Sequence, residues 1–115
     1  RRIVFDFNVA LNRYQIDGQW FPEAGGSLDD HYGGGVSFGF GDASINATAG
    51  GGGLPADPVT FAGNCFVINE RGISDKRGYV YLQNRRGNAY ACAVRDMAGS
   101  VQVKRWTGSA WWPRN

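Results

Sequence analysis

The sequence predicts an α+β domain, with one N-terminal amphipathic helix packed on antiparallel β-sheet. Three observations carry that expectation. Ile3, Val4, Phe7, Ala10, Leu11 and Tyr14 recur at helical spacing and fall on one apolar stripe. From Val59 onward, short apolar runs alternate with turn residues about every ten positions, the pattern of an antiparallel meander. A chain of 115 residues is a single domain, residues 1–115, with a core of modest size.

The helix takes residues 1–16, about 22 Å at ~1.5 Å per residue. Arg2, Asp6 and Arg13 lie opposite the stripe, and Asp17-Gly18 stops the helix. No capping residue precedes Arg1, and the pattern is already in phase at Ile3, as though a longer helix began earlier. Phe5 and Val9 lie off the stripe and are candidates for a subunit interface. Residues 19–58 form a variable loop region. Within it, Ser27-Leu28-Asp29-Asp30 suits a capped helical turn, and Val36 to Phe40 suits a short edge strand. The stretch from Ala43 ends in four consecutive glycines, Gly50 to Gly53, and is expected to be a mobile loop.

Residues 59–112 hold the meander. Val59-Thr60-Phe61 is a short strand, and Cys65 to Ile68 a continuous apolar one. Gly78 to Gln83 and Ala89 to Arg95 flank the hairpin turn Asn84-Arg85-Arg86-Gly87-Asn88. Ser100 to Trp106 puts Val101, Val103 and Arg105 on one face and Gln102, Lys104 and Trp106 on the other, and Ala110-Trp111-Trp112 returns beside it. One sheet or two could result.

Composition narrows the function. Apolar residues are 43% and aromatic residues 14% of the chain, which excludes disorder. No run approaches the ~20 apolar residues of a membrane span. Net charge is +2, but residues 1–57 carry −4 and residues 58–115 carry +6. Such polarity suits a surface with different partners on different sides. Cys65 and Cys92 are the sole cysteines. Their even count, each in a strand-like run, favours a disulfide over two buried thiols, and closing that loop contributes roughly 3–4 kcal/mol. Two Cys and one His cannot make a four-ligand metal cage.

Chemistry is not signalled. Asp29-Asp30-His31 places acids beside an imidazole, but adjacent residues point apart and no nucleophile is paired with them. The glycine runs lack the strand–loop–helix context and the Lys-Ser/Thr ending of a phosphate loop, and the aspartates lack calcium-loop spacing. No catalytic residue, cofactor, metal or small-molecule substrate is expected. The better signal is for binding. Arg85 and Arg86 sit on a hairpin tip, and Lys104, Arg105 and Arg114 are interleaved with Trp106, Trp111 and Trp112. Cations among aromatics suit a nucleic-acid surface, so DNA is one candidate partner. A carbohydrate platform built from Trp20, Trp111 and Trp112 is another reading.

The second half resembles the GspH/FimT family of minor pseudopilins and minor pilins. The matching residues are Val59-Thr60-Phe61, Ile68-Asn69-Glu70-Arg71-Gly72, Gly78-Tyr79-Val80-Tyr81-Leu82, Tyr90-Ala91-Cys92-Ala93-Val94 and the ending Gly99 to Trp106. The resemblance implies a pilin-like fold whose first helix continues as an apolar rod of ~25 residues ahead of Arg1. It also implies a structural, non-enzymatic subunit that helps start or cap a type II secretion pseudopilus or a type IV pilus. Its partners would be other pilin or pseudopilin subunits, and the membrane through that missing helix. It would reside in the bacterial inner membrane and periplasm before joining a pseudopilus or extracellular pilus. Some FimT-like proteins take up DNA, and Arg85, Arg86, Lys104, Arg105 and Arg114 are the residues here that could do so.

Overall fold

The computed structural model describes residues 2–48, 50–95, 98 and 100–113. Its first sixteen residues correct the expected α+β class, because they are strands. β1 (Ile3–Asn8) pairs antiparallel with β2 (Arg13–Ile16), which pairs with β3 (Gln19–Phe21). The apolar residues of this stretch satisfy two periods at once. Phe5, Phe7 and Val9 alternate as a strand does, and all three pack against the core. Ile3, Val4, Phe5 and Phe7 are also β-formers. Asn12, at φ 54°, turns the chain between β1 and β2. Asp17 and Gly18, at φ 50° and 82°, form the two-residue turn between β2 and β3 rather than a helix stop.

β1 also pairs with β5 (Cys65–Ile68), so the first sheet runs β3-β2-β1-β5. The second sheet holds β4 (Ser37–Phe38), β6 (Gly78–Gln83), β7 (Ala89–Val94), β8 (Val101–Trp106) and β9 (Trp111–Trp112), in the order β4-β6-β7-β8-β9. From β5 to β9 the strands occupy the expected residues, but the expected meander over residues 59–112 is corrected: only β6 to β9 form it, because β5 leaves to pair with β1 in the first sheet. Val59 makes a single bridge to Val80 instead of a strand. Among the described residues the α-helix is α1 (Leu28–Tyr32), with a capping box in which Ser27 and Asp30 each accept the other's backbone N–H.

The two sheets face each other across an aromatic core. Phe5 stacks on Phe66 at 4.7 Å, Phe61 on Phe66 at 4.6 Å, and Phe7 meets Phe38 edge to face at 6.2 Å. Val80, Leu82, Cys92 and Val94 complete it from the second sheet. A smaller cluster occupies the opposite face of the second sheet, where Tyr81, Ala89, Ala91 and Trp111 pack against Ala43 and Ala47. Residues 43–47, at the start of the glycine-rich stretch, form a strap laid over the sheet, whereas Gly50, Gly51 and Gly53 face open space. Side chains hold its backbone. Tyr81 Oη accepts the Ala47 N–H at 2.8 Å, Lys104 Nζ donates to the Ala47 carbonyl at 2.8 Å, and Trp111 Nε1 donates to the Ile45 carbonyl at 2.9 Å.

Candidate functional site

The sheets leave between them an open cleft of about 460 Å³. Phe5, Phe7 and Phe66 form its wall on the first sheet, and Val80, Leu82, Cys92 and Val94 its wall on the second. Tyr32 of α1 and Val101 of β8 stand at its rim. Strand alternation produces both walls. In β6, Val80 and Leu82 face inward while Tyr79 and Tyr81 face the strap. In β7, Cys92 and Val94 face the cleft while Ala89 and Ala91 lie beneath the strap.

The inner face of the second sheet is wider than its cover. Val94 pairs with Val101, Cys92 with Val103, Tyr90 with Arg105, and Arg105 with Trp112, so these side chains share one face. At the β8–β9 side that face is bare: Val101 is 66% exposed, Val103 58%, Trp112 60% and Tyr90 40%. The sequence put Val101, Val103 and Arg105 on one face, but not which face lacks a covering layer.

The nucleic-acid candidates do not form one surface. Arg85 and Arg86 are exposed at the β6–β7 hairpin tip, and Arg105 is exposed on the inner face. Lys104, one residue away, points to the other face and is 2% exposed, spent on the Ala47 carbonyl. Desolvation, with the Arg95 charge adding to it, lowers its pKa below the ordinary 10.5. Arg114 lies outside the described residues. The tryptophans make no platform either. Trp111 is buried, Trp112 takes the opposite face, and Trp20 lies under the Arg13 guanidinium at 3.8 Å.

Cys65 and Cys92 are both free thiols, which corrects the expected disulfide. Phe66 points into the core, so its neighbour Cys65 points to the outer side of the first sheet, where its Sγ is 3.6 Å from Lys76 Nζ. Cys92 faces the cleft, on the other side of that sheet, and burial raises its pKa. Phe5 and Val9, expected at a subunit surface, are half-buried and pack against the core, Phe5 from the inner face of β1 and Val9 from the turn that follows it. Asp29 and Asp30 are committed to local structure. Asp29 accepts the Gly35 N–H at 2.8 Å and Asp30 closes the α1 capping box, while His31 stays exposed. No cluster of metal-ligating side chains occurs among the described residues. No described helix is long and apolar enough to cross a membrane.

The chain matches no family model, no curated protein and no solved structure.

Proposed function

We propose that this chain is the head of a structural filament subunit of the GspH/FimT kind, and that its inter-sheet cleft seats an apolar helix. The open cleft is the observation that carries this reading. Its walls are aromatic and aliphatic side chains of two sheets whose backbone groups are already paired within the ladders. An occupant would find apolar contact there and few hydrogen-bond partners. A segment that satisfies its own backbone groups suits such a place, and a helix does so. Apolar area removed from water contributes roughly 25 cal/mol per Å², so filling the cleft is strongly favourable. The antiparallel run β6-β7-β8-β9 is consistent with the same reading, since the last three motifs of the family resemblance lie on β6, β7 and β8. Because residues 3–8 and 13–16 are strands, the reading places the helix ahead of Arg1.

The test is the N-terminal sequence of the native protein, by mass spectrometry on a membrane fraction. The expected result is an apolar segment of about 25 residues running into Arg1, with a processed, methylated first residue. Alkylation of Cys92 should then be slower in the native protein than in the 115-residue domain, because the helix covers the thiol. A native chain that begins near Arg1, or that follows an ordinary secretory cleavage, would remove the reading.

A further inference from the structure

The bare part of the inner face is a second surface, continuous with the cleft at Val101 but extending past it to β9. We propose that this ledge docks an amphipathic helix of a neighbouring protein subunit, one with apolar side chains a turn apart and a carboxylate a turn beyond.

Three features select that occupant. First, the ledge is a sheet face: the β8 backbone groups point in the plane of the sheet, to β7 along Val101–Arg105 and to β9 at Arg105 and Trp106, so a chain lying on the face finds no backbone partner there. The partner must bring a backbone that is already satisfied. Second, the spacing fits. Val101, Val103 and Arg105 project from alternate positions of β8, about 6.8 Å apart. Helix residues four apart rise about 6 Å, so positions i, i+4 and i+8 fall close to these three side chains. Third, the charge is uncompensated. The Arg105 guanidinium has no acid or hydrogen-bond partner among the described residues. Tyr90 and Trp112 flank it across the neighbouring strands and would exclude water from an ion pair formed between them. Arg85 and Arg86 stand on the hairpin between β6 and β7 and reinforce the positive field.

A second copy of the same face brings no acid: its Arg105 would meet either the other Arg105, a like-charge contact, or apolar side chains that leave it unpaired, and both cost association energy. A nucleic acid would use the cations but leave Val101 and Val103 without partners. The two valines therefore favour a protein, and the arginine requires that protein to be acidic at one point.

The experiment places the photo-crosslinker p-benzoylphenylalanine at position 103 of the full-length protein in its own cells and sequences the adduct. The expected adduct is a helical segment of another subunit, with apolar residues four apart and an acid four further on. Arg105→Glu should reduce its yield about tenfold or more, and exchanging the partner's acid for Arg should restore it. An adduct to nucleic acid, to lipid or to β8 of a second copy would overturn the proposal, as would no adduct. So would an adduct indifferent to Arg105→Glu. The result is separable from the helix in the cleft: a native chain without an apolar N-terminal segment leaves the ledge test standing, and an empty ledge leaves the cleft reading standing.

Discussion

Replacing Tyr81 by Phe tests whether the strap is held by side chains or merely rests on the sheet. Tyr81 is almost fully buried, and its ring meets Phe40 at 4.9 Å and Trp111 at 5.7 Å. Those ring contacts survive the substitution. What is lost is one acceptor, the Oη that takes the Ala47 N–H at 2.8 Å. Ala47 is fully buried, so its N–H is left with neither that partner nor ready access to water. An orphaned buried donor costs about 1–3 kcal/mol. Taking ~2 kcal/mol, and about 4–5 °C per kcal/mol for a domain of this size, the melting temperature should fall by about 8–10 °C. Urea unfolding measures the free energy, and hydrogen exchange at the Ala47 amide locates the loss. The variant should exchange faster at Ala47 while the β6 and β7 amides keep their order of protection. A stability within ~0.5 kcal/mol of the parent, with unchanged exchange at Ala47, would refute the reasoning. It would mean that Lys104 and Trp111 suffice to hold the strap.

Three further outcomes are expected. Intact-mass analysis after alkylation without reduction should find two free thiols, with Cys65 modified faster than Cys92, whose pKa is raised by burial; a protein that resists both modifications until reduced would contradict the placement of the two cysteines on opposite sides of the first sheet. Stability should begin to fall as pH rises past 9.0, the ordinary Cys92 value, because the folded state then holds a proton that the unfolded chain releases; Tyr14 and Tyr81, raised above 10.0 by desolvation, extend the fall. Lys104 works the other way: its folded pKa is lowered, so its contribution grows with pH as the window up to 10.5 is crossed, and Lys104→Met should steepen the net alkaline loss while Cys92→Ala delays its onset. Finally, Gly78→Ala puts a methyl group 2.8 Å from the Phe61 ring and should cost about 1–3 kcal/mol by urea titration, whereas the same change at Gly53, which faces open space, should cost little.

Much of the second half was legible because its signals are local. Strands β5 to β9 are short apolar or alternating runs bounded by Gly, Asn and Asp, and nothing in them competes with the strand reading. The Ser27 cap was legible for the same reason, since both of its hydrogen bonds lie within four residues. The bare ledge was half legible: the face shared by Val101, Val103 and Arg105 follows from alternation, whereas its exposure depends on how far the first sheet reaches.

By itself, then, the sequence determined the segregated charge, the strand positions from Cys65 to Trp112 and which side chains of β8 share a face. Tertiary structure decided the rest. Residues 3–16 suit a helix and a hairpin almost equally, and β5, about sixty residues along the chain from β1, tips the balance by stacking Phe66 on Phe5 and pairing its backbone with β1. The same partner sends Cys65 outward and so separates it from Cys92. Lys104 reads as a solvated cation until the strap folds over it and takes its ammonium as a hydrogen-bond donor. In each case the deciding contact joins distant parts of the chain. Its free energy comes from burial that no local window contains.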